Sequence, residues 1–265
     1  MLSYVSSVHV SRSHCTQCSQ TRAVLSLAIP SGMADRVGTP RQRARALVVA
    51  EIKATARNQL AVVGAAGLSV RHVARDLGLS SSGVYRYFAS RDELLTALII
   101  DAYDALGSAA EAAEQAVARD DLLGRWRAAS FAVRQWARDN PQEYGLVFGS
   151  PVPGYEAPAD TVAPAARVPL VLAAILRDAH GAGRTTRRES ESSGVLDLAL
   201  VGAGAPLEGL PDEVVIAGLM AWVELFGIVT FELFGHLVGS VRDFDAFYAR
   251  AVDRLASSLG LAPGA

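Results

Sequence analysis

The chain has 265 residues, 51% apolar and 20% charged, which fits a soluble globular protein with one large or two small domains and a sizeable core. Aromatics are only 7% while Ala, Leu, Arg and Glu abound, favouring helices over strands, and two cysteines exclude a disulfide-held scaffold. The net charge of −2 hides an asymmetry: residues 36–95 carry ten basic and four acidic side chains, the remainder 15 basic and 23 acidic, so one positive face points at a polyanion unless the charges cluster by chance on a solvated helix.

Residues 1–38 read as a disordered or misassigned extension. Cys15 and Cys18 have a C-x-x-C spacing that suits zinc or redox chemistry, and His9 and His14 lie nearby. No second ligand pair follows, so no metal is expected. The apolar run Ala23–Ile29 is too short to span a membrane and has no clean cleavage signal. Met33, just before the basic segment, is the expected true start of translation.

From about Arg41 to Val63, Val49, Ile52, Ala56, Leu60 and Val63 form an amphipathic helical stripe, closed by Gly64 and Gly67. Ser69 can cap a second helix with Val70, Val73, Ala74 and Leu77 inward, ended by Gly78. Ser80 or Ser81 caps a short third helix reaching about Phe88, with Val84 and Phe88 inward. Ser90-Arg91-Asp92-Glu93 is a capping box opening a fourth helix to about Leu106. Further helices are expected at 109–118 and 121–139. Another starts at Asn140, with Pro141 in the first turn and Glu143 closing a box. The proline-rich stretch 149–160 is a loop, and a helix follows over 161–180. Residues 181–209, apart from the apolar run Val195–Val201, read as a mobile connection. Two long helices, about 211–237 and 241–259, close the chain. The expected class is all-α.

Two short helices joined by a Gly-containing turn make a helix-turn-helix, whose second helix enters the DNA major groove. Ser81, Ser82, Tyr85 and Arg86 share the face opposite Val84 and Phe88. Small residues allow close approach, Arg86 can pair with guanine or phosphate, and Tyr85 and Tyr87 can donate to phosphate oxygens. Gly67 to Ser80 and Gly83 to Leu95, with tyrosine pair, aromatic and capping box at the same spacing, resemble the DNA-binding head of the TetR/AcrR family. The resemblance covers about residues 41–95. It implies that Ser69 and Arg71 touch the backbone or a flanking base, and that Ser81, Ser82, Gly83, Tyr85, Arg86 and Tyr87 line the groove. Arg91 would clasp a phosphate, and Arg41, Arg43 and Arg45 would form a basic arm. His72 and Arg75 are expected to be solvated.

Trp222 to Gly227 and Glu232 to His236 resemble a TetR C-terminal subgroup with a Trp-His-Gly signature, with Phe226 where the signature has histidine. The implied organisation is a DNA-binding domain over 39–90 and a ligand-binding and dimerising domain over 91–265. Trp126, Phe131, Trp136, Tyr144, Phe148 and Tyr155 are candidate pocket walls, with His180 and Trp222 as polar handles. Each of these can equally be plain core. Leu219, Phe226, Val229 and Leu233 on one helix, and Phe244, Tyr248, Val252 and Leu255 on the other, form stripes suited to a four-helix dimer seam; an intramolecular core is the other use for them. Residues 214–238 are apolar enough to suggest a membrane span, but Glu224, Glu232 and His236 speak against lipid. No phosphate loop, H-E-x-x-H or G-x-S-x-G occurs, so neither catalysis nor a cofactor is expected. The expected function is a cytoplasmic, homodimeric repressor released from a palindromic operator by an unknown small molecule. The alternative is a DNA-binding regulator that answers a protein partner or nothing.

Overall fold

In the computed structural model the described residues are 39–185, 196 and 207–261. The expectations for Cys15, Cys18, His9, His14 and Met33, and for all of Val195–Val201 but Leu196, lie outside them. No strand occurs among the described residues.

Of residues 1–43, Thr39–Arg43 are described. Thr39 opens the first helix with a reciprocal cap: its hydroxyl accepts from the Gln42 amide at 3.3 Å and its own amide donates to the Gln42 side chain at 2.7 Å. This helix, α1, spans Pro40–Val63.

From Ala44 onward the chain is one compact unit. After α1 come α2 (Val70–Asp76), α3 (Ser81–Tyr85), α4 (Arg91–Gln115), α5 (Leu122–Asp139) and α6 (Pro141–Phe148). A 3-10 turn, Ala159–Thr161, precedes α7 (Val162–Gly181), α8 (Asp212–Leu233) and α9 (Phe244–Ser258).

Two apolar clusters organise these elements. One gathers Ile52, Ala56 and Leu60 of α1 with Val73, Val84, Phe88 and Leu94. The expected stripe of α1 holds except at its end, where Val63 is 53% exposed because the helix outruns the core. The second cluster joins α4 to α9 around Trp126, Tyr144, Ile175, Leu225, Val229 and Tyr248. Helix α6 serves both: Tyr144 belongs to the second cluster and Leu146 to the first.

Two sequence expectations about helix boundaries fail for identifiable reasons. The separate helices expected either side of Gly107 are one, α4. Gly107 is buried, and a Cβ there would lie 2.7 Å from Arg167. The glycine makes room for Arg167, which crosses α4 and pairs with Asp104 at 2.9 Å and Glu111 at 2.6 Å. At the start of α6, Asn140 makes no side-chain cap. Its amide donates instead to Trp136 O at 2.9 Å, and Glu143 spends its carboxylate on Arg57 at 2.8 Å.

Helix α8 and the segment Ala159–Gly181 are long and apolar enough to cross a membrane. Both pack into the second cluster, and Glu232 of α8 is held in a two-pronged pair by Arg134, both bonds 2.7 Å.

Candidate functional site

The turn between α2 and α3 is built by local chemistry. Ser69 caps α2, its hydroxyl accepting from the His72 amide at 3.5 Å. Gly78 ends the helix with φ +67°, a left-handed conformation that favours glycine. The amide of Leu79 then reaches Ala74 O at 2.8 Å and that of Gly78 reaches Arg75 O at 3.0 Å, a paired closure of the helix C-terminus. Ser80, not Ser81, caps α3, with its hydroxyl accepting from the Gly83 amide at 3.1 Å. The regular helix stops at Tyr85, and Phe88 N to Val84 O at 3.1 Å carries the turn onward.

This leaves Val84 at 0% exposure and Phe88 at 5%, while Ser82, Tyr85 and Arg86 face solvent and Ser81 is half-buried. Among the described residues, Arg71 and Arg86 form no ion pair, so both exposed charges are open to an outside anion. Arg45 stands in the opening turns of α1 with its guanidinium 5.0 Å from the centre of the Tyr87 ring, and Tyr87 is half-buried. Arg41 and Arg43 lie in the first turn of α1 rather than on an extended arm.

Two expected contacts have other placements. Gly83 is buried in α3, so the bases would meet its neighbours instead. Arg91 is only partly exposed, and its guanidinium donates to Ala65 O at 2.9 Å, Leu68 O at 3.1 Å and Ala66 O at 3.2 Å. It ties the α1–α2 connection to α4, and those donors are already spent.

The expected pocket aromatics scatter. Trp126 is 1% exposed, and its indole donates to Val252 O at 3.0 Å, so it is core that pins α9 to α5. Phe131 is 38% exposed and packs edge-on against Tyr248, so it lies outside any interior wall. Trp136 packs at the edge of the second cluster. Tyr144 is fully buried, its hydroxyl bonded to Phe226 O and Thr230 Oγ1, and burial pushes that phenol up to about 12. Phe148 packs between Tyr103 and Phe226. Tyr155 packs against the first cluster and shares a 3.0 Å bond with Thr96. His180 shares one with Thr185, also 3.0 Å. Of the candidates, Trp222 alone lines a described cavity, together with residues of α7 and α8.

The expected dimer stripes turn inward. Val229, Tyr248 and Val252 are at 0% exposure, Leu255 at 5% and Phe226 at 8%, and Phe244 and Leu233 are half-buried. Their partners lie within the chain: Tyr248 donates to Ser130 O at 2.8 Å and stacks under Arg134. Leu219 keeps 37% exposure. What α8 leaves outside is a different row, Met220, Val223, Gly227 and Phe231, with a Cβ at Gly227 meeting nothing. Glu224 pairs with Arg254 across α8 and α9, so Phe247 of α9 opens on the same side. Helix α8 is apolar around its circumference, which is the signal that a second apolar face exists beside the first.

A third set links the clusters. Arg57 of α1 holds both Asp101 of α4 at 2.7 Å and Glu143 of α6 at 2.8 Å, and Lys53 holds Asp101 at 2.8 Å. Periodicity gives no hint of these pairs, because they are separated by 44 residues or more.

Comparison with known proteins places these features. The model for bacterial regulatory proteins of the tetR family matches residues 52–98, and that for the tetracyclin repressor-like C-terminal domain matches residues 126–255. The chain is 40% identical over 205 residues to HTH-type transcriptional regulator Rv1816 of Mycobacterium tuberculosis, covering 76% of this chain and 86% of that one. HTH-type transcriptional regulator Mb1846 of Mycobacterium bovis matches with the same figures. Among solved structures it is similar to the regulatory protein SCO4313, at 37% identity and a TM-score of 0.66, over 83% of this chain and 100% of that one. The TetR family regulator PfmR from Thermus thermophilus shares the fold at 22% identity, with a TM-score of 0.51 over 78% and 98% of the two chains.

Proposed function

This chain belongs to the TetR family of bacterial regulatory proteins, DNA-binding transcription regulators and not enzymes, and from that premise we propose that it is a ligand-responsive repressor, a cytoplasmic homodimer released from a palindromic operator by a small molecule. The observation that carries this reading is the pair of guanidinium groups, Arg71 and Arg86, unneutralised among the described residues, on the outward side of a helix-turn-helix whose inward side is sealed by Val84 and Phe88. Ser82 and Tyr85 beside Arg86 approach base edges and phosphates, and Ser69 and Arg71 secure the register on the backbone. Tyr87 serves chiefly to seat Arg45 near the same surface.

Two heads must fall about 34 Å apart to reach successive major grooves. The outer row of α8, Met220, Val223, Gly227 and Phe231, with Phe247 of α9, is the face we assign to the partner copy. It is apolar, and Gly227 lets a second helix come close. The body reaches the head through α6, whose Tyr144 and Leu146 sit in different clusters and whose Glu143 grips α1. A ligand that shifts α6 changes head separation, and a coupling of about 1–3 kcal/mol lowers operator affinity roughly 5–150-fold.

The test is selection of bound sites from a random duplex library, followed by anisotropy titration of Arg86→Ala. The expected outcome is an inverted repeat whose affinity falls roughly 5–150-fold in the variant, about 1–3 kcal/mol, while the dimer persists. Unchanged affinity in Arg86→Ala would refute its groove role.

A further inference from the structure

Leu172, Ala173 and Leu176 of α7 and Val215, Leu219 and Trp222 of α8 line a cavity of about 40 Å³, and none of the described residues around it is charged. The indole Nε1 of Trp222 is buried with no acceptor among the described residues. Trp126 differs: at 1% exposure it has its indole satisfied by Val252 O. An indole N–H can only donate, and a buried donor left unpaired is costly, so the group favours anything that brings it a lone pair. A charged guest would find no counter-charge in this wall and would lose its hydration.

We propose that this cavity binds a neutral, largely apolar molecule that carries one hydrogen-bond acceptor, a carbonyl or ether oxygen, received by Trp222 Nε1. The inference rests on the reading that the body senses a small molecule, and names the chemistry sensed. A cavity of this size holds no more than a few waters, so a larger guest must part α7 from α8. The two helices are close here because position 218 is glycine: a Cβ there would lie 2.4 Å from Leu176 Cδ1. Parting them moves Trp222 against Phe226, with which it makes an edge-on contact at 5.8 Å. Phe226 in turn lies 4.7 Å from Phe148 of α6. The helix pushed is the one whose Glu143 holds α1 through Arg57.

Four eight-carbon probes separate the possibilities: 2-octanone, octane, octanoate and octylamine, each titrated calorimetrically against the full chain. The expected result is that 2-octanone binds roughly tenfold tighter than octane, about the worth of one hydrogen bond made to an otherwise unpaired buried donor. Neither charged probe competes. Trp222→Phe erases the margin between ketone and hydrocarbon while still binding octane, which also shows that the variant is folded. Ala173→Leu fills the cavity and abolishes binding of both neutral probes. Equal binding of 2-octanone and octane, tighter binding of octanoate or octylamine, a margin that survives Trp222→Phe, or no saturable binding of either neutral probe would each overturn the assignment. Operator release is scored separately. Release by octanoate alone would overturn this site but leave the ligand response standing, whereas ketone binding with unchanged operator affinity would support the site and contradict the response.

Discussion

At the end of α3, Arg86 is exposed and unpaired among the described residues, whereas Arg91, five residues on, is occupied by three carbonyls. The two side chains are the same residue type at neighbouring helix ends and opposite in use. Arg86→Ala is therefore expected to cost about 1–3 kcal/mol of operator affinity with little change in melting temperature, read by anisotropy and calorimetry. Arg91→Ala should do the reverse. It leaves the Ala65, Ala66 and Leu68 carbonyls without those donors, so the fold loses about 1–3 kcal/mol while the salt dependence of DNA binding keeps its slope. A shallower salt slope in Arg91→Ala, with unaltered melting, would restore it as a phosphate contact. Sequence spacing could place both arginines at the right helix ends. It could not say which backbone carbonyls would lie near, because those come from a connection more than twenty residues away.

Among elements, the caps and breaks of α2 and α3 were legible because they depend on neighbours a few residues apart: Ser69, Gly78 and Ser80 act within one turn. Gly107 was not legible, since its purpose is to admit Arg167 from a helix far along the chain. Helix α8 misled for a different reason. Periodicity found an apolar stripe through Phe226 and Val229, and that stripe is real, but it faces the core, while a second stripe one residue offset faces out. Val223→Asp on that outer row is expected to give monomers in sedimentation velocity and to weaken operator binding, while the isolated fold survives. Intact dimers in that variant would move the seam elsewhere. Helix α6 makes a second expectation at this scale. Glu143→Gln removes the charge that grips Arg57, so the head should become less responsive to the body: operator affinity changes, and any ligand-dependent loss of affinity shrinks. A double-mutant cycle with Arg57→Met should then show coupling between the two sites, and additivity would sever the proposed link.

Over the whole molecule, ion pairs link the described helices, and their carboxylates contribute to how stability depends on pH. The hydrogen bond from Arg167 holds Glu111 below its ordinary 4.5, and Arg134 and Arg127 hold Asp245 and Asp253 below their ordinary 3.8. Each group contributes stability above its ordinary value and loses it as pH falls through the lowered one, so melting should hold steady near neutrality and decline in the acid range below about 4.5. The three carboxylates keep about a third or more of their surface in solvent, so the decline is shallow and salt should flatten it; calorimetric scans at low and high salt check both. At the same scale, the positive segment on a negative body means that the dimer we propose would present two basic heads to one duplex. The decisive measurement is selection from a random duplex library, with affinity then measured against salt concentration. The account predicts enrichment of one inverted repeat, half-sites about a helical turn apart, bound by a dimer with a steep salt slope. Recovery of a library no different from its input would contradict it.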